Sequence, residues 1–252
     1  MARHEKRGWM GAEHLAATAT RLSSATVDAL LAYAARAVWP AGFMIYQRGA
    51  PADGVFLVLE GRVILRSRVR AGRGFIPWIA TPGETFGAEG LSAAPKYSTE
   101  ARADEEATTL FLSGGRYRSF LREQPHHATA LVAQILGERS ALLEKLRELT
   151  TMSVEQRLIV SLVRMATFDT FTRDDGCLVL NTNRYRLLCE LVGATRESVS
   201  LVLGRFVGEG LIERKGSSLI VQPSQIMGRV ELPLDDLLTP SSGSLPAAPV
   251  LL

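Results

Sequence analysis

The chain has 252 residues, of which 46% are hydrophobic and 22% charged, and its formal net charge at pH 7 is +3. That length allows two small domains, each with its own core. The sequence contains no apolar run of about 18 residues, the length that a transmembrane helix needs. Its basic N-terminus also lacks the apolar core of a signal peptide. We therefore expect a cytoplasmic protein with no membrane partner.

Cysteine and histidine are too few to predict a metal site. Cys177 and Cys189 are the two cysteines, and two thiolates cannot hold an iron–sulfur cluster. The adjacent His126 and His127 point in different directions on a helix, which does not favour metal binding. We find no Ser/His/Asp arrangement, and the segment 83–87 lacks the lysine and spacing of a phosphate-binding loop. We expect no metal, no cofactor and no enzymatic activity.

The N-terminal half changes from a helical to a β-type pattern. Residues 1–22 are predicted to be a flexible lead-in, and Ser23 or Ser24 is predicted to cap a short helix. Glycine-bearing turns then separate short runs typical of strands, at the spacing of a small sandwich or barrel. This pattern predicts a β domain over 23–115, with its clearest strands at 43–46, 55–59, 63–65, 75–79 and 108–112.

Residues 116–150 form a long helical segment with an apolar stripe. Its length exceeds that of an ordinary globular helix and indicates a partner helix. The alternative is a helix that lies on its own β domain. We favour a homodimer seam that also borders the β domain, built from Leu131, Ile135, Leu142, Leu146 and Leu149.

Residues 151–228 have the pattern of a winged helix-turn-helix domain. The helix that includes 187–192 is predicted to end at Gly193, which supplies the backbone freedom for a tight turn. Thr195 is a good N-cap for the next helix, and 211–221 reads as a two-stranded hairpin with a polar tip. The final stretch, 229–252, is rich in Pro, Ser, Leu and Ala, and we expect it to be disordered.

The second helix of this motif carries the residues that we expect to read DNA bases. Arg196, Glu197, Ser200 and Leu201 share one face near the helix N-terminus, the part that a recognition helix inserts into the major groove. Arginine can bind guanine, and glutamate can accept from cytosine N4. Ser200 is expected to take a phosphate or a base edge.

Basic residues of the same region are expected to bind the DNA backbone. Seven Lys and Arg minus four Asp and Glu over 183–229 gives +3, so the whole excess charge of the chain sits in this part. Asn183 or Thr182 is predicted to cap the first helix of the motif. The candidate backbone contacts are Thr195, Arg184, Arg186, Arg205, Arg214 and Lys215.

Four fragments in a fixed order carry a family resemblance: Gly54-Val-Phe-Leu-Val-Leu-Glu-Gly61, Pro82-Gly-Glu-Thr-Phe-Gly87, Arg157-Leu and Gly193-Ala-Thr-Arg-Glu-Ser-Val-Ser200. On these the chain resembles the cyclic-AMP receptor protein and FNR superfamily of bacterial transcription regulators. The resemblance implies an α+β protein with a cyclic-nucleotide-binding-type β-roll (jelly roll), a long dimerisation helix and a C-terminal winged helix-turn-helix. It also implies a homodimer that binds double-stranded promoter DNA and works with RNA polymerase.

The positions that hold cyclic AMP in such proteins differ in this chain. Ala88 stands where the resemblance implies the carboxylate for the ribose, and Tyr97 where it implies the arginine for the phosphate. Leu142 and Leu143 replace the polar pair that meets adenine. Removing one partner of a buried charged pair costs about 2–5 kcal/mol, so we do not expect cyclic AMP to be the effector.

Two interpretations of the effector pocket remain open. One is a small, less polar or acidic metabolite, with Trp78 near the ligand; the other is a regulator whose pocket is filled by its own side chains. The candidate pocket residues are Phe86, Gly87, Ala88, Glu89, Tyr97, Ser98, Leu142 and Leu143.

Other members of the family supply further tests. The oxygen-sensing branch needs N-terminal cysteines, and none precedes Cys177; the haem branch uses a β-roll histidine, and none lies between His14 and His126. We therefore expect neither an iron–sulfur cluster nor haem.

Leu201 stands where the family has an arginine, so one guanine contact is lost and a thymine methyl contact is possible. The alternative function is a cyclic-nucleotide-type sensory module whose C-terminal domain mediates protein interaction.

Overall fold

The computed structural model describes residues 21–68, 74–92, 95–168 and 171–227. The expected lead-in before residue 21 and the expected tail after residue 227 lie outside the described residues. Helix α1 (Ser24–Leu31) opens the N-terminal domain. Ser23 caps it, because its side chain accepts from the backbone N–H of Thr26 at 3.3 Å.

The N-terminal domain is a β-roll of two antiparallel four-stranded sheets. One sheet has the order β1-β8-β3-β6 and the other the order β2-β7-β4-β5. This confirms the predicted β-roll, although the sequence pattern did not indicate β1, β6 or β7. The described strands are β1 (Ala35–Trp39), β2 (Met44–Tyr46), β3 (Gly54–Glu60), β4 (Val63–Arg68), β5 (Gly74–Ala80), β6 (Thr85–Phe86), β7 (Glu100–Ala103) and β8 (Ala107–Ser113).

The helical segment expected at 116–150 consists of two helices. Helix α2 spans Gly114–Glu123 and helix α3 spans Pro125–Thr151. Pro125 disfavours the helical conformation at the residue before it, and Gln124 accordingly has φ −130° and ψ 58°. Proline is well tolerated at the first position of α3, where an N–H would have no helical partner.

Helix α3 has two different long faces. The inner face is buried against the β-roll and includes Gln134 and Glu138 as well as Leu131. The outer face exposes Val132, Leu136, Leu142, Leu143 and Leu146. The predicted apolar stripe therefore falls on both: Leu131 and Ile135 pack into the β-roll core, whereas Leu142 and Leu146 are exposed and Leu149 is half-buried.

The C-terminal domain is the predicted winged helix. Asn181 caps α5, since its Oδ1 accepts from the backbone N–H of Arg184 at 3.0 Å. The expectation of a cap at Asn183 or Thr182 was therefore wrong by one or two residues. The domain contains α4 (Val154–Ala166), β9 (Leu178–Leu180), α5 (Thr182–Val192), α6 (Arg196–Gly208), β10 (Ile212–Lys215), β11 (Ser218–Val221) and α7 (Pro223–Met227).

Buried charges join α3 to the C-terminal domain. Lys145 Nζ donates to the Leu191 carbonyl oxygen at 2.6 Å and to Glu148 Oε2 at 3.0 Å. Arg164 also pairs with Glu148, and Arg157 Nε donates to the Val192 carbonyl oxygen at 2.9 Å. The last carbonyls of a helix have no partner within that helix. Cations of α3 and α4 supply those partners for α5.

Glu148→Ala tests this cluster, because it leaves Lys145 and Arg164 without the carboxylate that they share. Breaking a buried ion pair from one side costs about 3–5 kcal/mol. We expect urea unfolding to show a loss of that size. The matched control is Glu144→Ala, which removes the Arg147 pair nearer the surface and should cost less than about 1 kcal/mol. Equal losses in the two variants would contradict a structural role for the cluster.

Candidate nucleic-acid interface and effector pocket

The predicted base-reading residues lie together on the exposed face of α6. Gly193 ends α5 in the left-handed conformation, with φ +64°, and a Cβ there would lie 2.8 Å from Leu149 Cδ2. Thr195 then caps α6 by accepting from the backbone N–H of Ser198 at 3.3 Å. Three buried residues, Val199, Leu203 and Phe206, fix which side of α6 faces inward. Arg196, Glu197, Ser200 and Leu201 remain exposed, Leu201 to 78%.

Glu197 is held in its charged form at the start of this helix. Hydrogen bonds from its own backbone N–H and from Thr195 lower the pKa of the Glu197 carboxyl below its usual value. An ionised carboxylate only accepts hydrogen bonds. Glu197 therefore has the chemistry to accept from a cytosine amino group beside Arg196.

The candidate phosphate-binding residues are divided by the structure into two sets. Arg186, Arg214 and Lys215 are exposed, on α5 and on the wing strand β10. Thr195 is partly buried, and its side chain is the N-cap.

The second set, Arg184 and Arg205, is bonded to other groups of the protein. Arg184 Nη1 donates inward to the carbonyl oxygens of Phe171 at 3.1 Å and Val179 at 2.8 Å. Arg205 pairs with Glu155 and, at 4.0 Å, with Glu209. Neither guanidinium is presented as an unengaged cation, so we leave both out of the phosphate set proposed below.

Aromatic rings fill the interior of the β-roll around Tyr97. The Tyr97 and Tyr46 rings stack with centroids 3.6 Å apart, and the Phe56 and Phe86 rings stack at 5.0 Å. A Cβ at Gly87 would lie 3.2 Å from Tyr97 and 3.3 Å from Tyr46. Phe86 and Tyr97 are both buried. This close packing favours the interpretation in which the chain fills its own pocket.

Carboxyl groups, rather than cations, approach this aromatic cluster. Glu89 Oε1 accepts from the backbone N–H of Ser98 at 3.1 Å and from the Ser98 hydroxyl. Glu138 on α3 is buried, and its Oε2 has no hydrogen-bond partner among the described residues. Sequence reasoning missed Glu138, although it follows Leu131 and Gln134 at helical spacing on the inner face. The Glu89 carboxylate disfavours a negatively charged phosphate here, whereas the buried Glu138, whose pKa is raised to about 8, is mostly protonated at pH 7.

Three predicted pocket residues, Ala88, Leu142 and Leu143, lie outside the aromatic cluster, and a fourth, Trp78, packs against it from β5. Leu142 and Leu143 lie on the outer face of α3, exposed to 39% and 59%. Trp78 lines a separate cavity between β5, α3 and α4. Ala88 begins a short 3-10 helix, Ala88–Leu91, and packs on the core beneath α1.

Three further findings on the described residues concern metal binding, the Cys189 thiol and membrane-spanning helices. No group of three His, Cys, Asp or Glu side chains within the described ranges is arranged to hold a metal ion. Burial raises the pKa of the Cys189 thiol, which keeps it in its unreactive form. Among the helices of the described part, none is long and apolar enough to cross a membrane.

Glu138 should make stability depend on pH. Burial, with Glu89 and Glu84 nearby, raises the pKa of Glu138 to about 8, against about 4.3 in an unfolded chain. Between these values the folded state holds one more proton, so stability is fully present below the lower pKa and falls as pH rises to the upper one. We expect the free energy of unfolding of the wild type to fall by a few kcal/mol relative to that of Glu138→Gln between pH 5 and pH 8. The slope is about 1.4 kcal/mol per pH unit. Parallel pH profiles in urea unfolding would contradict this.

Comparisons with known proteins agree with this architecture. Residues 36–124 match the family "Cyclic nucleotide-binding domain", and residues 156–226 match the family "Crp-like helix-turn-helix domain". The chain is 24% identical over 193 residues to the CRP-like cAMP-activated global transcriptional regulator of Mycobacterium tuberculosis, covering 76% of this chain and 85% of that one. It is 27% identical over 215 residues to the cyclic AMP receptor protein of Thermus thermophilus, covering 83% and 94%.

Solved structures show the same fold. The c-di-GMP responsive global regulator CLP of Xanthomonas campestris superposes with a TM-score of 0.69 at 20% identity, over 79% of this chain and 99% of that one. A CRP/FNR-family transcriptional regulator of Thermus thermophilus superposes with a TM-score of 0.66 at 22% identity, over 77% and 97%.

Proposed function

Because the chain belongs to the cyclic-AMP receptor protein and FNR superfamily of bacterial transcription regulators, we propose that it is a homodimeric, sequence-specific DNA-binding regulator that does not respond to cyclic AMP. It acts in the cytoplasm on promoter DNA, together with RNA polymerase. The observation that carries this proposal is the exposed group of Arg196, Glu197, Ser200 and Leu201 at the start of α6.

The geometry supports a division of labour on DNA. Arg196 binds guanine, Glu197 accepts from cytosine N4, and Leu201 meets a thymine methyl group. Arg186, Arg214 and Lys215 bind phosphates, which position the helix without reading sequence. The half-site therefore has one base fewer read by an arginine than is usual for the family.

The outer face of α3 supports the homodimer. Val132, Leu136, Leu143 and Leu146 are exposed apolar residues, and Arg139 continues their alternating spacing of four and three residues. That is the heptad repeat of a two-stranded coiled coil. A second copy of the helix would bury this face, and a two-fold dimer binds a two-fold DNA site.

The β-roll interior supports independence from cyclic AMP. Tyr97 occupies the position of the expected phosphate-binding arginine and stacks on Tyr46. Glu89 and the buried Glu138 bring carboxyl groups towards the same region. The effector is therefore a different small molecule, or the β-roll needs none.

Selection of genomic DNA fragments with the purified protein, with and without cyclic AMP, tests the function and supplies its binding site. We expect two-fold sites that do not change with the nucleotide. Absence of any retained DNA would favour a C-terminal domain that binds protein.

On the selected site, Arg196→Ala should cost about 1–3 kcal/mol of binding free energy and relax the preference at one base position.

The matched variant is Arg214→Ala on the wing. It should weaken binding evenly on all sequences and lower the slope of log affinity against log salt by about 0.9 for each protomer, or about 1.8 for the homodimer. A uniform loss for Arg196→Ala as well would contradict its base-reading role.

Leu136→Asp should dissociate the dimer, because it places a charge in the middle of the apolar seam. Sedimentation should show a monomer, and affinity for a two-fold site should fall while α3 stays folded. Val38→Asp is the control, since Val38 is an equally exposed apolar residue (58%) on β1. If both variants remain dimeric, the outer face of α3 is not the seam.

A further inference from the structure

A tyrosine of α5 touches α6 beside its exposed face. Tyr185 lies in the first half of α5, half-buried against the core of the C-terminal domain. Its hydroxyl donates to the carbonyl oxygen of Arg196, the first residue of α6, at 3.3 Å. Arg196 and Ser200 are four residues apart and share one side of that helix. The Tyr185 hydroxyl therefore meets α6 where two of the candidate base-reading residues stand.

The Ser200 hydroxyl is a second partner of Tyr185. Burial raises the pKa of the Tyr185 hydroxyl, whereas a hydrogen bond with the Ser200 side chain lowers it. A neighbouring hydroxyl lowers the pKa of a phenol when it donates to the phenol oxygen, because that bond stabilises the ionised form. Ser200 is therefore the donor of this bond, and Tyr185 is the acceptor.

A count of protons gives the same direction. A tyrosine hydroxyl has one O–H to donate, and that of Tyr185 is directed to the Arg196 carbonyl oxygen. A hydrogen bond between Tyr185 and Ser200 must then use the proton of Ser200. A serine hydroxyl also has a single proton. Ser200 consequently keeps only its oxygen lone pairs for any further partner.

The usual alternative acceptor for the Ser200 proton is already occupied. A serine inside a helix can donate to the carbonyl four residues earlier, as Ser140 does to Leu136 at 3.1 Å in α3. For Ser200 that carbonyl belongs to Arg196. It accepts from the Tyr185 hydroxyl and also takes the helical bond from the backbone N–H of Ser200. Both lone pairs of the Arg196 carbonyl oxygen are thus engaged.

The Cys189 thiol is the other polar side chain next to the Tyr185 hydroxyl. Cys189 follows Tyr185 by one turn of α5, and the two groups interact. A thiol is a weak donor and a weak acceptor, so it competes poorly with a backbone carbonyl for the tyrosine proton. The order of donors therefore runs from Ser200 to Tyr185 and from Tyr185 to the Arg196 carbonyl oxygen.

We propose that Tyr185 is a positioning residue for base reading: it holds the Ser200 proton, so that Ser200 accepts a hydrogen bond from a base amino group in the major groove. The inference rests on the proposed function, because it assigns the partner of one residue on the reading face. In the major groove, adenine N6 and cytosine N4 are the donors, whereas guanine O6 and thymine O4 accept. Phosphate oxygens accept as well, so Ser200 does not bind the DNA backbone.

Base substitution across the selected half-site tests the role of Ser200. We expect wild type to favour adenine over guanine, or cytosine over thymine, at one position by about twofold to tenfold, the contribution of one neutral hydrogen bond. Ser200→Ala should remove this preference. A preference for guanine or thymine that depends on Ser200 overturns the acceptor role. So does a loss in Ser200→Ala that is equal on all sequences, which would indicate a phosphate contact.

Base analogues identify the amino group. Purine in place of adenine, or pyrimidin-2-one in place of cytosine, removes only the amino group of the base. The analogue at the contacted position should weaken wild type by the same factor and leave Ser200→Ala unaffected. If neither analogue weakens wild type, Ser200 reads no amino group and the proposal is wrong.

Tyr185→Phe tests the tyrosine, because it keeps the ring and removes only the hydroxyl. Ser200 is then free to donate, so the preference for the amino base should fall by about the same factor. Combined with Ser200→Ala, Tyr185→Phe should change the preference no further. An unchanged preference, with or without an even loss of affinity, overturns the positioning role. Tyr33→Phe is the control, since that hydroxyl donates to Glu123 at 2.8 Å in the N-terminal domain and should affect neither affinity nor preference.

A measurement without DNA separates this inference from the proposed function. The pKa of Tyr185 is obtained by following the carbon NMR signal of tyrosine Cζ against pH, with Tyr185→Phe to assign the signal. Ser200→Ala should raise this pKa, because it removes the donated bond. An unchanged or lower pKa overturns the Ser200–Tyr185 bond even in a protein that binds DNA. If wild type retains no DNA, the regulator and the reading role both fall, whereas the pKa shift still establishes the bond.

Discussion

The contact between Lys145 and the Leu191 carbonyl oxygen sets the position of the DNA-binding motif. Helix α5 ends at Gly193, and the last carbonyls of α5 accept from Lys145 and Arg157. Buried cations are costly unless they are paired, so this arrangement depends on Glu148. The same cluster that satisfies the end of α5 therefore fixes the direction in which α6 leaves the turn. The proposed reading face of α6 is exposed because Val199, Leu203 and Phe206 are buried on its other side.

Helix α3 thereby contacts both the β-roll and the C-terminal domain. Its inner face reaches the β-roll, where Gln134 Oε1 accepts from the backbone N–H of Thr85 at 3.0 Å. Its outer face carries the proposed dimer seam, and its C-terminal turns hold the DNA domain through Lys145.

The DNA-binding half could be predicted because its signals are local. Gly193 and Thr195 fix the turn and the start of α6 within a few residues, and the structure agrees with both. The missed strands are short, or they alternate small and charged residues, as Glu100–Ala103 does. The inner face of α3 was also missed, because periodicity assigns apolar residues to the interior. Lys145 is buried there because the Leu191 carbonyl oxygen, distant in sequence, accepts from its ammonium group. Glu138 is buried although its Oε2 has no such partner among the described residues.

The aromatic residues inside the β-roll and the cavity beside α3 both bear on where an effector would bind. In the function proposed above, Tyr97 and its stacked neighbours turn the usual pocket into packed core, and a packed core offers no open volume in which a ligand can make differential contacts. The junction next to Lys145 has open volume and an apolar wall. It also adjoins the bond that positions α5. Lys145, which lines this open volume, therefore also holds the end of α5.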